Sequence, residues 1–301
     1  MAILDWLKIV FLGIVEGVTE WLPISSTGHM ILVDALWKSD NPVMSEEFMN
    51  MFTVVIQFGA ILAVVVLYFQ RVWPFHTKAK RRRRSYFAEA SSNCAICGIQ
   101  RFCDNYCYLD KIILWLKIAV SCVPAILIGF PLDDWMDAHL YTPVVVALML
   151  LLYGVGFLFI ERYNKTRTPR ITSVNRLTWK DAVLIGVFQV LALVPGTSRS
   201  GATILGGILI GASREAAAEY TFFLAIPVMF GASLLKLVKF GFGFTGTQVA
   251  VLLLGMAVAF AVSIVAIKFL MGYIKKHDFS VFGWYRIALG ILVLAYHFIA
   301  S

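Results

Sequence analysis

The chain has 301 residues, 60% of them hydrophobic and 15% charged, with a net charge of +8. Soluble domains average roughly half apolar and a quarter charged, so this composition excludes a soluble globular fold and indicates an integral membrane protein. The apolar runs have helical length rather than the alternating pattern of spanning strands, which excludes an outer-membrane barrel.

The first apolar segment, 6–33, is interrupted by LPISSTGH. It lacks a basic leader, and Asp5, Glu16 and Glu20 fall where the apolar region or cleavage site of a signal peptide belongs, so it is not read as one. A span is expected at 52–70, then a strongly basic loop at 71–111 with Lys78, Lys80 and a run from Arg81 to Arg84. Beside a span, such a run reads as an anchor to anionic headgroups, and no nucleic-acid partner is expected. An insert at about 76–110 contains SSNCAICGIQRFCDNYC, which brings Cys94, Cys97, Cys103 and Cys107 into one loop. On a cytoplasmic face, where disulfides are disfavoured, these are candidate zinc ligands, set against free thiols in a disordered insert. Spans are expected at 112–132 and 143–161, joined by a short loop, 133–142, that carries Asp133, Asp134 and Asp137. After a basic loop at 162–180 comes a second interrupted segment, 182–211, containing VPGTSRSGAT. The remaining spans are expected at 217–238, 248–271 and 283–300, with a basic loop at 275–277.

The two breaks expose backbone polar groups that lipid cannot satisfy, so protein or a water-filled cavity must surround them. GIVEGVTEWLPISSTGHMIL from Gly13 parallels GVFQVLALVPGTSRSGATIL from Gly186, setting Glu16 opposite Gln189, Pro23 opposite Pro195 and Ser26 opposite Ser198. Phe58-Gly59-Ala60 falls opposite Phe230-Gly231-Ala232 at the offset of the prolines, which argues for an internal repeat. The expected fold is an all-α polytopic membrane protein, one integral membrane domain made of two inverted-topology repeats, 1–162 and 178–301. Each repeat is a re-entrant helix hairpin plus three transmembrane helices. The positive-inside rule puts the three basic loops in the cytoplasm and the acidic one outside, so the first hairpin dips in from the outer face and the second from the cytoplasm. Inverted repeats whose broken helices meet near the midplane mark a binding site.

Glu16 and Glu20, four residues apart, share one helical face, and ionisable groups at membrane depth mark function by default. Helix restarts at Ser25-Ser26-Thr27 and after Ser198-Arg199-Ser200 offer unpaired N–H groups to an anion. For Ser25 the plainer role is an N-cap. The Arg199 fork suits phosphate oxygens, although an ion pair with Glu16 or Glu20 would also satisfy it. The two carboxylates are candidate ligands for a divalent cation, Mg²⁺ or Ca²⁺, that bridges phosphates. Ser26, His29 or an activated water is the candidate attacking group.

EGVTEWLPISSTGH and PGTSRSGAT, present together and in order, are similar to the paired signature of the bacterial undecaprenyl-pyrophosphate phosphatase family, the BacA/UppP type. The similarity covers nearly the whole chain outside the insert. It implies hydrolysis of undecaprenyl pyrophosphate to the monophosphate carrier at the outer side of the bacterial inner membrane, supplying peptidoglycan synthesis and bacitracin resistance. It further implies that Glu16 and Glu20 work with a divalent metal, that Ser26 and His29 are candidates for nucleophile and acid/base, and that Ser198, Arg199 and Thr203 contact phosphate, a contact the restart of the first helix also offers through Ser25. Lipid phosphatases related to phosphatidic-acid phosphatases require a histidine shortly after the arginine, and SRSGATILGG has none. The alternative from another class is a polyprenyl-phosphate transporter using the same inverted-repeat cavity. A homodimer is the candidate assembly.

Overall fold

The computed structural model describes residues 2–37, 41–75, 107–241 and 243–300. They form ten helices, α1 (Ile3–Thr19), α2 (Ser26–Leu36), α3 (Glu46–Leu67), α4 (Leu109–Leu140), α5 (Pro143–Asn164), α6 (Trp179–Val190), α7 (Arg199–Leu209), α8 (Arg214–Phe240), α9 (Gly246–Tyr273) and α10 (Ser280–Ala300), besides single helical turns. Among the described residues, extended pairing is limited to two isolated bridges. Six helices are long and apolar enough to cross a membrane: Glu46–Leu67, Leu109–Gly129, Pro143–Asn164, Arg214–Phe240, Gly246–Tyr273 and Ser280–Ile299. Large apolar side chains such as Leu152, Phe159, Val265 and Ile291 lie exposed on the outer faces of these helices, the arrangement that a lipid solvent favours.

The six spans fall where hydropathy puts them, but two boundaries differ. α3 starts at Glu46, capped by Ser45, because its first turn carries Glu46 and Glu47 and so escapes an apolar-run reading. The expected loop at 133–142 is instead the last turns of α4, which runs on to Leu140 before Thr142 caps α5. Hydropathy marks the apolar length of a helix and not where its hydrogen-bond ladder ends.

Both interrupted segments are helix–break–helix units, α1/α2 and α6/α7. Their first arms pack in parallel ways, α1 on α9 and α6 on α4. Glycine permits both approaches. A Cβ on Gly17 would lie 2.8 Å from the Ala259 carbonyl, and one on Gly186 would lie 2.5 Å from that of Ser121. A serine hydroxyl crosses each seam, Ser263 donating to Gly17 O at 3.3 Å and Ser121 to Ala182 O at 2.7 Å. The second arms differ. Ser200 to Ile208 of α7 are buried throughout, whereas of Ser26 to Val33 in α2 Gly28 alone is buried and the rest are partly exposed.

Candidate active site

The first break begins where α1 ends at Thr19, and Pro23, without an N–H, cannot rejoin its ladder. Ser25 then adopts φ 72° and caps α2, its Oγ accepting from Gly28 N at 3.5 Å. The second break follows α6 through the turn Leu191–Leu193, reverses at Gly196 (φ 89°), and restarts at Ser198. Ser198 adopts φ 69° and its Oγ accepts from Gly201 N at 3.3 Å. Among the described residues, Ser25 and Ser198 are the two non-glycine positions with positive φ. Left-handed backbone at a side-chain-bearing residue is strained, and such strain gathers at functional sites. By backbone and cap Ser25 matches Ser198, one residue off the pairing that the prolines suggest and at the offset of Glu16 and Gln189; on that register Ser26 stands where the second segment has Arg199.

Those two counterparts meet on one carboxylate. Arg199 Nη2 lies 3.0 Å from Glu20 Oε1, and Ser26 Oγ donates to Glu20 Oε2 at 3.2 Å. Arg199 is steadied from behind, its Nη1 donating to Thr221 O at 3.0 Å. The Glu20 and Arg199 side chains are about nine-tenths buried, at 10% and 11% exposure. They border a cavity of about 170 Å³ that also meets Ser26, Thr27, Gln57, Ser198 and, toward the α4–α5 junction, Tyr141. Both helix N-termini therefore reach one small polar chamber inside an apolar bundle.

A residue that sequence reasoning passed over holds both breaks. Arg286 of α10 is fully buried and donates to Pro23 O at 3.2 Å in the first break, and to Gly196 O and Thr197 O at 2.8 Å each in the second. One guanidinium thus ties the two breaks together. The signal was present in FGWYRIALG, a charge inside an apolar span.

Comparison with known proteins bears on what such a chamber belongs to. Residues 9–292 match the family model described as bacitracin resistance protein BacA. The chain is 56% identical to an undecaprenyl-diphosphatase of Enterococcus faecalis, over 97% of this chain and 96% of that protein. It is 51% identical to one of Lachnoclostridium phytofermentans over the full length of both, and 54% identical to one of Acetivibrio thermocellus over 97% of this chain and 98% of that protein. The chain belongs to the BacA family. The family match spans both breaks together with Gln57 and Arg286.

The other candidate residues of this BacA chain take varied positions. Glu16 is buried beside Glu20, Gln57 and Arg199. Ser25 and Ser198 spend their hydroxyls on the caps, and Ser198 Oγ also lies 3.0 Å from Ser200 Oγ. Thr203 is turned inward, 2.8 Å from Arg199 O and 2.8 Å from Thr221 Oγ1, so it supports Arg199 from one turn behind. His29 Nδ1 lies 2.7 Å from Ser25 O and its Nε2 2.7 Å from the Tyr285 hydroxyl, and the ring does not line the chamber. Cys94, Cys97 and Cys103 lie outside the described residues, while Cys107 bridges to Phe75.

Buried side-chain polar atoms without a protein partner number seven among the described residues, and all belong to the two broken segments or Arg286. They are Glu16 Oε1, Trp21 Nε1, both Gln189 amide atoms, Thr197 Oγ1, Arg199 Nε and Arg286 Nε. Buried polar groups are normally bonded, and of these residues Arg199 borders the chamber. Among the described residues no group of three or more His, Cys, Asp or Glu side chains is placed to hold a metal; Glu16 and Glu20 offer two carboxylates, and the Glu20 oxygens already meet Arg199 and Ser26, so a cation there would depend on water and phosphate oxygens. Two carboxylates completed by water and phosphate oxygens suit Mg²⁺, whereas Ca²⁺ takes six to eight oxygens and would draw most of them from elsewhere.

Proposed function

We propose that this BacA-family protein is an undecaprenyl-diphosphatase, a membrane hydrolase that cleaves the lipid diphosphate to undecaprenyl phosphate and inorganic phosphate. Carrier lipid is thereby returned to cell-wall synthesis, which accords with the bacitracin resistance in the family's description. The names of the full-length relatives support hydrolysis over the lipid transport that an inverted-repeat cavity would also allow. The observation that carries the site is the Glu20–Arg199 pair, which joins the two broken segments at one chamber.

Ser26 Oγ already donates to Glu20, so the carboxylate is placed to take its proton as the oxygen attacks the terminal phosphorus. The P–O bond to the bridging oxygen breaks, and undecaprenyl phosphate leaves with the bond's electron pair. Water then attacks the seryl phosphate, Glu20 returns the proton to Ser26 Oγ, and inorganic phosphate departs. Arg199 and the first N–H groups of α2 and α7 face the charge on the transferring oxygens, and their contribution comes from being fixed beforehand. To serve the phosphate, Arg199 exchanges its contact with Glu20 for one with substrate, while Thr221 O holds its other nitrogen. A divalent cation on Glu16 and Glu20 would neutralise diphosphate charge.

The placement of the site follows from the same parts. The paired caps at Ser25 and Ser198, and the exchange of packing between α1 on α9 and α6 on α4, support two repeats of opposite orientation with re-entrant hairpins. If the broken segments re-enter, three spans per half put the halves in opposite orientation, and the loop charges favour the outer face for the first hairpin. Tyr141 lines the chamber beside the stretch with Asp133, Asp134 and Asp137, which supports an opening on the outer face of the inner membrane. Phosphate release from undecaprenyl diphosphate by the purified protein tests the activity. Full release by both Glu20→Gln and Arg199→Ala would overturn the site.

A further inference from the structure

His29 carries the residue type of an acid–base group, but its surroundings are those of a brace. A carbonyl oxygen can only accept, so the 2.7 Å contact with Ser25 O puts a proton on Nδ1. In a neutral ring Nε2 is then the acceptor, and its 2.7 Å partner is the Tyr285 hydroxyl. The two rings lie parallel within 9°, with centroids 5.6 Å apart. Both ring nitrogens are therefore engaged away from Glu20 and Ser26, and neither His29 nor Tyr285 lines the chamber. The carbonyl that His29 holds belongs to Ser25, the strained residue from which α2 starts.

The neighbour of Tyr285 completes the picture. Arg286 holds Pro23 O, so two consecutive residues of α10 secure the carbonyls on both sides of Ile24. Arg286 serves the second break too, but no histidine does: with Ser25 opposite Ser198, the position of His29 falls to Ala202. That break needs none, because α7 is buried along its length whereas α2 is partly exposed. We infer that His29 is a positioning residue whose Nδ1–H fixes the Ser25 carbonyl and hence the N-terminus of α2, and that Tyr285 is a positioning residue that fixes His29. This rests on the reading of Ser26 and Glu20 as the reacting edge.

The two nitrogens of His29 can be separated by substitution. An asparagine amide nitrogen overlays Nδ1 and can still donate to Ser25 O, whereas a glutamine amide overlays Nε2 and cannot. Undecaprenyl diphosphate hydrolysis across pH is measured for wild type, His29→Asn, His29→Gln, Tyr285→Phe and His29→Asn/Tyr285→Phe, each eluting monodisperse in detergent. We expect His29→Asn to keep its turnover within about threefold and its pH profile unchanged, and His29→Gln to lose on the order of tenfold, the scale of one hydrogen bond. Tyr285→Phe slows wild type but adds nothing in the asparagine background. Equal losses of about 10²–10⁴-fold in both His29 variants, with a limb of the pH profile removed, would mean proton transfer by the imidazole and would overturn the inference. If His29→Asn does not purify folded, Tyr285→Phe decides alone: slower turnover on an unchanged pH profile supports the inference, and a displaced limb defeats it. Ser26→Ala and Glu20→Gln are assayed alongside. Wild-type turnover in both would defeat the reading of the reacting edge, an outcome distinct from any pattern among the His29 variants.

Discussion

Arg199 reaches Glu20 at 3.0 Å across 179 residues of sequence, bringing the basic residue of one broken segment to the acid of the other. At about nine-tenths burial the pair is costly to leave half-made. Glu20→Gln removes the carboxylate charge that meets Ser26 and Arg199 while keeping the side chain's size. We expect turnover to fall by roughly 10²–10⁴-fold, read as phosphate release, together with a lowered unfolding temperature because the buried Arg199 loses its counter-charge.

Arg199→Lys keeps the charge and loses the fork. An ammonium can satisfy Glu20 or Thr221 O but lacks the planar geometry that spans both. Turnover should drop by at least about tenfold, with Arg199→Ala lower still. Equal activity of the lysine variant and wild type would show that charge alone suffices.

The strained cap at Ser198 distinguishes two small substitutions. Ser198→Ala keeps the unfavourable φ of 69° and loses the bond to Gly201 N, a cost of about 1–2 kcal/mol. Ser198→Gly loses the same bond but relieves about 1 kcal/mol of backbone strain, so its stability should stay close to wild type. Thermal unfolding in detergent separates the two.

Much of this arrangement is legible in the sequence, because hydropathy, loop charge and the two Pro/Gly/Ser clusters each leave a local mark. The six spans, the two breaks and the presence of Glu16, Glu20, Ser26 and Arg199 at them follow from such marks. Register across the breaks does not. Prolines suggest pairing Ser26 with Ser198, whereas the left-handed caps pair Ser25 with Ser198, and backbone φ is not written in residue type when serine stands where glycine is usual. Arg286 and Tyr285 lie more than 250 residues from the first break, and Arg286 lies 90 and 89 residues from its two partners in the second, so nothing local connects them to either. The extension of α4 to Leu140 is hidden for another reason: its last turns are polar, and an apolar-run reading stops before them.

Arg286→Met fills a similar volume but leaves the carbonyls of Pro23, Gly196 and Thr197 without their donor. Unpaired buried carbonyls cost about 1–3 kcal/mol each. We expect a clearly lowered unfolding temperature and loss of phosphate release together, since both breaks lose their common anchor. A variant as stable and active as wild type would show that the breaks are held by other means.

Removal of divalent cations tests the role of the orphaned Glu16 oxygen. Exhaustive chelation should abolish phosphate release and Mg²⁺ should restore it, while Glu16→Gln should raise the Mg²⁺ concentration needed for half-maximal activity by about tenfold or more. Unchanged turnover in excess chelator would remove the cation from the chemistry.

The most direct test of a single site shared by the two broken segments is a double-mutant cycle on Glu20 and Arg199, read as the initial rate of phosphate release from undecaprenyl diphosphate. Residues that act as a unit are non-additive. We expect Glu20→Gln/Arg199→Ala to be no slower than the slower of the two single variants. Losses that multiply, as for two independent positions, would contradict a shared site.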